Sequence, residues 1–137
     1  MKTDKSLYDT TIAAVKRSIM HPETWLYSKI ISTPEVDGFD LGEDELPIFL
    51  IESEIARTLV STRRIIEISD TGSNEISIDQ IEDIIYGSFK GQLNKPPLSI
   101  FKTVDLYGDE LHFQLETGKA SIGLVYTINT LRKLHKY

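Results

Sequence analysis

The stretch Leu59-Val60-Ser61-Thr62-Arg63-Arg64-Ile65-Ile66-Glu67-Ile68 constrains the fold of this chain most. A polar, glycine-bearing segment follows it, Asp70-Thr71-Gly72-Ser73-Asn74, and then Glu75-Ile76-Ser77-Ile78-Asp79-Gln80-Ile81. Two β-rich runs separated by such a turn read as consecutive antiparallel strands. Ile76 and Ile78 alternate with polar residues, the period-2 signature of a half-buried strand.

The neighbouring segments extend this pattern in both directions. Residues 47–51 form an apolar run that fits a buried strand, with Pro47 suited to a strand start or an edge. Strands are predicted over 56–61, 64–69, 75–79 and 81–86. The segment 87–97 holds Gly87, Gly91, Asn94, Pro96 and Pro97 and reads as a loop. Beyond it, Leu98, Ile100, Val104 and Leu106 share one strand face, and Phe101, Thr103, Asp105 and Tyr107 the other. Gly108-Asp109 reads as a turn. Leu111, Phe113 and Leu115 then alternate with His112, Gln114 and Glu116, which predicts a strand with one wet face.

The two ends change period. Residues 6–20 predict a helix, with Ser6 as the N-cap and Pro22 ending it, because proline disfavours a helical conformation at His21. A strand is predicted over 25–31, its aromatics packing the N-terminal helix onto the body. Residues 121–135 predict a helix with Leu124, Ile128, Leu131 and His135 along one stripe. Arg132, Lys133 and Lys136 sit in its last turn, where cations favour the helix dipole. Residues 34–45 form a polar connection with Gly38 and Gly42.

These elements give six to seven short strands and a terminal helix. A small antiparallel barrel must hide its edges and plug its open end, and an amphipathic C-terminal helix suits that task. At 137 residues the chain is one domain long and buries a core without staples. With 26% charged and 40% hydrophobic residues it is not a disordered chain. The absence of cysteine excludes disulfides and thiolate metal sites. No run reaches membrane-span length, and no apolar segment follows the first residues, so the expectation is a soluble cytoplasmic protein.

Charge is distributed unevenly. Residues 1–34 carry five basic and three acidic groups, residues 35–85 three and fourteen, and residues 86–137 seven and four. The stretch 35–54 alone holds eight carboxylates and no lysine or arginine. Such a surface repels phosphate backbones and attracts cations, which argues against a nucleic-acid partner. Glu35, Asp37, Asp40, Glu43, Asp44 and Glu45 are therefore the candidate residues for steering a basic protein partner.

Several motifs suggest chemistry and then fail to carry it. Asp70-Thr71-Gly72 matches the tripeptide of aspartic proteases, but that reaction pairs two aspartates in a cleft. One copy between two strands reads as a hairpin turn. His21, His112 and His135 have no histidine or cysteine at ligand spacing and read as surface residues. The carboxylates of 40–45 lack the ligand order of an EF-hand. No nucleophile–base pair, phosphate loop or basic stripe with interleaved aromatics is present. The expectation is no catalytic residue, no metal and no cofactor.

Val60-Ser61-Thr62-Arg63-Arg64-Ile65-Ile66 resembles the third-strand signature of bacterial pleckstrin-homology-like (PH-like) domains. Glu75-Ile76-Ser77-Ile78-Asp79-Gln80-Ile81-Glu82-Asp83-Ile84 is similar to the pattern that follows it in that family, and residues 111–118 resemble the last strand before the closing helix. The resemblance covers roughly residues 42–135. It implies a mainly β (α+β) protein, a bent antiparallel barrel of about seven strands capped by the C-terminal helix. It implies a binding or scaffold module without catalysis. On this reading residues 1–34 are a helical extension packed on the body, and residues 35–137 are the barrel and its helix. Arg63 and Arg64, adjacent on a predicted strand, point to opposite faces, one of them toward the rim or a carboxylate. Arg63, Lys90 and Lys95 are candidate contacts to anionic lipid headgroups, the alternative to a protein partner. A further alternative is an antitoxin-like inhibitor whose acidic surface mimics nucleic acid.

Overall fold

The computed structural model describes residues 2–19, 21–86 and 97–136. Helix α1 (Asp4–Ser18) is followed by a 3₁₀ turn (Pro22–Thr24) and strand β1 (Ser28–Ile30). Strands β2 (Pro47–Glu52), β3 (Ala56–Ser61), β4 (Arg64–Ser69) and β5 (Gly72–Ser77) come next. A second 3₁₀ turn (Ile78–Gln80) leads to β6 (Ile81–Ile85), β7 (Leu98–Asp105), β8 (Glu110–Glu116) and helix α2 (Lys119–His135).

The strands form two antiparallel sheets, β1-β2-β3-β4-β5 and β6-β7-β8, each a simple meander. Among the described residues no backbone ladder joins the two, so the expected closed barrel of about seven strands is instead a pair of open sheets holding eight. The chain reverses at Thr62-Arg63, so residues 59–68 are a hairpin and not one continuous strand. Ser61 causes the reversal. Its hydroxyl oxygen accepts from the N–H groups of both Arg63 and Arg64 at 3.1 Å, a serine turn that replaces ladder bonds.

One core lies between the sheets and under α2. Ile48, Phe49, Val60 and Ile65 from the first sheet meet Phe101, Phe113 and Leu115 from the second, with Leu124, Ile128 and Leu131 from α2. Helix α2 therefore bridges the gap between the sheets, and α1 packs beside it. Gly123 permits the close approach of α2. A Cβ there would stand 3.0 Å from both Phe49 and Trp25, whose rings lie 5.7 Å apart.

The N-terminal segment departs from its expected detail. Thr3, not Ser6, caps α1, accepting from the Ser6 N–H at 3.1 Å, and Asp4 falls in the first turn where a carboxylate is favoured. His21, denied a right-handed helical conformation by Pro22, takes a left-handed φ of 50°. The strand predicted over 25–31 shortens to Ser28–Ile30, which forms the edge of the five-stranded sheet. Tyr8, Trp25 and Tyr27 pack against the core, and the Tyr8 hydroxyl donates to the Ile31 carbonyl at 2.6 Å.

On β7 the structure decides which of the two expected faces is buried, and on β8 one face departs from the expectation. Phe101 and Thr103 point inward, while Ile100 and Leu106 are 59% and 53% exposed. Phe101 pairs with Phe113 in the register and their rings stack at 5.5 Å. On β8 the predicted wet face is wet only at His112. Gln114 and Glu116 are buried because the five-stranded sheet and its leading segment cover them. The Gln114 amide donates to the carbonyls of Ile51 (3.2 Å) and Ala56 (2.9 Å), and its oxygen accepts from Ser53 (2.7 Å). Its backbone N–H donates to Glu67, which also accepts from Thr58. Glu116 accepts from the N–H groups of Leu26 (2.7 Å) and Tyr27 (2.8 Å). Gln114→Ala is expected to cost about 1–3 kcal/mol, because two carbonyls and a hydroxyl lose partners in a buried seam. His112→Ala should cost well under about 1 kcal/mol. Urea unfolding of both variants checks this, and equal losses would contradict the seam.

Candidate functional site

The long connection between β1 and β2 carries most of the candidate residues. It is not a floppy tether. Val36, Phe39 and Leu41 pack onto a small cluster of Ile31, Leu50 and Leu59 on the outer face of the five-stranded sheet. Three arginines then fasten it by its backbone. Arg57 of β3 donates to the Asp37 carbonyl at 2.6 Å, Arg64 of β4 to the Asp40 carbonyl at 2.8 Å, and Arg63 of the hairpin turn to the Glu43 carbonyl at 2.6 Å. The Arg57 guanidinium also lies 5.0 Å over the Phe39 ring, a cation–π contact. Gly38, at φ +89°, is required here twice over, since its backbone is left-handed and the Arg57 guanidinium occupies the place of a Cβ.

These arginines are the three basic residues of 35–85. Each spends hydrogen bonds on loop carbonyls, so the loop is held while its side chains turn outward. Glu35, Asp37, Asp40, Glu43 and Asp44 are all exposed. The sixth candidate, Glu45, behaves differently and is corrected from steering residue to anchor. It is 4% exposed. Arg64 meets it through Nε at 3.0 Å and Nη2 at 3.2 Å, the Gly42 N–H donates at 2.8 Å, and the Ser61 hydroxyl donates to its other oxygen. Burial pushes the Glu45 carboxyl up, but the hydrogen bonds from Arg64, Ser61 and Gly42 outweigh it and hold the group below its ordinary value. Arg64 is raised in turn, chiefly by its hydrogen bonds to Glu45, and it also reaches Glu75 at 2.8 Å.

Arg63 and Arg64 do not face opposite ways on one strand. Arg63 sits in the turn, Arg64 opens β4, and both reach the same loop. Arg63 is engaged on both sides, with Asp4 at 3.1 Å and 2.8 Å and with the Glu43 carbonyl. Burial pushes Asp4 up, yet the hydrogen bonds from Arg63 and Thr62 bring it below its ordinary value. Thr62, fully buried, gathers four parts of the molecule. It donates to Asp4 at 2.6 Å, accepts from the Leu46 N–H at 3.2 Å, and its carbonyl accepts from His135 Nε2 at 2.8 Å. His135 is thus half-buried and tied in, not a free surface group. His21 and His112 are exposed. Lys90 and Lys95 lie outside the described residues.

Asp4 and Arg57 are not among the candidate residues that the sequence pattern marks. A signal for Arg57 existed, because it is one of only three basic residues among fourteen carboxylates in 35–85. Asp4 had none, since it meets Arg63 across 59 positions. The Asp70-Thr71-Gly72 tripeptide forms the tight connection between β4 and β5 and has no second aspartate in the register beside it. Among the described residues no three histidines or carboxylates group to hold a metal ion. No helix among them is long and apolar enough to cross a membrane.

The two lowered carboxyls make a pH prediction. A group with a depressed folded pKa contributes stability that is present above its unfolded pKa and lost as pH falls through the folded value. Asp4 and Glu45 therefore stabilise the fold at neutral pH, and that contribution fades as pH falls below about 4 toward their lowered folded values. Urea midpoints should fall from pH 5 to pH 3, and the fall should be shallower in Glu45→Gln. Equal slopes for the two proteins would contradict the assignment.

The fold and site define a mainly β, α+β protein with two antiparallel sheets, a bridging helix and a clamped acidic loop. No family model matches the chain, and no curated protein sequence matches it. It is similar to a crystal structure of the C-terminal domain of an unknown protein from Leishmania infantum, at 14% identity and a TM-score of 0.39, with 66% of this chain and 82% of that one covered.

Proposed function

We propose that this chain is a non-enzymatic protein-interaction module whose clamped acidic loop receives a basic partner. One observation carries the reading. Arg57, Arg63 and Arg64 take the loop's carbonyl oxygens, so a rigid loop presents the exposed carboxylates of Glu35, Asp37, Asp40, Glu43 and Asp44. A charged surface that is already ordered loses little conformational freedom on binding and accelerates encounter with an oppositely charged partner.

The order of elements supports the PH-like reading. Four strands, β2 to β5, precede three, β6 to β8, and α2 follows and bridges them, with β1 added at the edge. On that reading the protein is a cytoplasmic binding module. Recruitment to anionic membranes through Arg63, Lys90 and Lys95 is the less supported alternative, because Asp4 and the Glu43 carbonyl already engage Arg63.

Titration with a labelled oligolysine peptide tests the proposal. Binding is expected at low salt, to weaken steeply as salt rises, and to be lost when Asp37, Asp40, Glu43 and Asp44 become amides. Binding indifferent to both changes would refute it. Flotation on anionic vesicles that persists after the same amidation would favour the membrane alternative.

A further inference from the structure

The C-terminal helix carries the opposite charge to the loop. Residues 28–118 hold seven basic and eighteen acidic groups, whereas residues 119–137 hold four basic and no acidic group. Helix α2 thus has no carboxylate of its own. On α1, Lys16 and Arg17 are exposed, while Asp4 and Asp9 are paired with Arg63 and Lys5. Between the two helices runs an outer groove of about 530 Å³, lined by Thr10, Ala14 and Arg17 on one side and Tyr126, Asn129 and Lys133 on the other. Small side chains on the α1 wall let a backbone approach. Tyr126, 46% exposed, lies in the groove beside its charged rim, an aromatic of the kind that docking surfaces use.

We propose that this groove receives the acidic loop of a second copy of the chain, so that copies associate head to tail. The inference rests on the reading of the loop as a docking surface and names its partner. The charges are complementary, with Arg17 and Lys133 on the groove facing the carboxylates of Asp37, Asp40 and Glu43. The loop cannot serve its own groove. It is fastened to the five-stranded sheet by Arg57, Arg63 and Arg64, and it adjoins the N-terminal end of α1, where Asp44 and Leu46 share a cavity with Lys2 and Thr3. The groove extends toward the other end of α1, to Arg17 and Ser18. Loop and groove are different patches, so the contact is heterologous and propagates from copy to copy. A single loop seated in a groove is a small interface, and the association is weak and salt-sensitive.

Sedimentation velocity on the full chain tests this with two charge reversals. One variant carries Arg17→Glu and Lys133→Glu, the other Asp37→Lys, Asp40→Lys and Glu43→Lys. The wild-type weight-average mass is expected to rise with concentration at low salt and to return to the monomer at high salt. Each variant alone is expected to be at least about tenfold weaker in association. An equimolar mixture should associate again, because the intact loop of one variant meets the intact groove of the other and the two reversed faces also carry opposite charges. A wild type that is monomeric at every concentration, or a mixture that stays monomeric, overturns the proposal. Oligolysine binding separates this failure from failure of the functional reading. The helix variant keeps an intact loop and must still bind the peptide if the loop is a docking surface. Unchanged circular dichroism melts establish that both variants are folded.

Discussion

Phe113→Ala is expected to destabilise the protein by about 3–5 kcal/mol, the usual cost of removing a large aromatic from a closed core. Phe113 is fully buried, its ring stacks on Phe101 at 5.5 Å, and Phe101 in turn lies 5.8 Å from Tyr86. It belongs to one buried cluster with Leu124, Ile128 and residues of the first sheet, so removing its ring leaves a hole inside the core. Ile100→Ala, on the outward face of the neighbouring strand, should cost less than about 1 kcal/mol because that side chain is already largely in water. Urea midpoints at unchanged m-value measure both. Comparable losses would show that the register of β7 against β8 is wrong.

Glu45→Ala is expected to cost about 3 kcal/mol and to expose the acidic loop to proteolysis. Breaking a buried ion pair on one side leaves the other charge poorly solvated. Arg64 would keep Glu75 and the Asp40 carbonyl but lose its two bonds to Glu45, and the Ser61 hydroxyl and Gly42 N–H would lose an acceptor. Glu45→Gln, which keeps the shape and drops the charge, should fall between this variant and wild type. Glu43→Gln should change stability little, since Glu43 contributes its backbone carbonyl and its side chain is exposed. If Glu43 and Glu45 variants behaved alike under denaturant and protease, the division of the loop into anchor and display would fail.

That division could not be seen in the chain. Six carboxylates within eleven positions look equivalent when read in line. Ser61 and Arg64, sixteen and nineteen residues away, select Glu45 for burial. The polar face of β8 is ambiguous for a related reason. His112, Gln114 and Glu116 alternate properly, but the partners that bury the last two lie 47 to 90 residues away. Period-2 alternation shows which residues share a face. It does not show whether water or a second sheet lies against that face.

Local features were legible. The strands at 56–61 and 64–69 stand as their side-chain pattern predicts, because β-branched residues bounded by turn formers encode a strand within a few positions. The C-terminal helix followed from its 3.6-residue period and lies within two residues of the expected start. The charge map was legible too, as was the presence of three arginines among fourteen acids.

The sequence by itself therefore determined both helices and most strands to within a few residues, and that one stretch of the chain is acidic, since both follow from neighbours a few residues apart. The strand predicted over 75–79 instead runs Gly72–Ser77 and ends in a 3₁₀ turn. The tertiary structure alone decided that the strands divide into two open sheets, that Gln114, Glu116 and Glu45 turn inward, and that three arginines hold the loop by its carbonyls. Those outcomes come from pairings across sixteen to ninety residues, where burial and hydrogen bonding select among side chains that local pattern leaves equivalent.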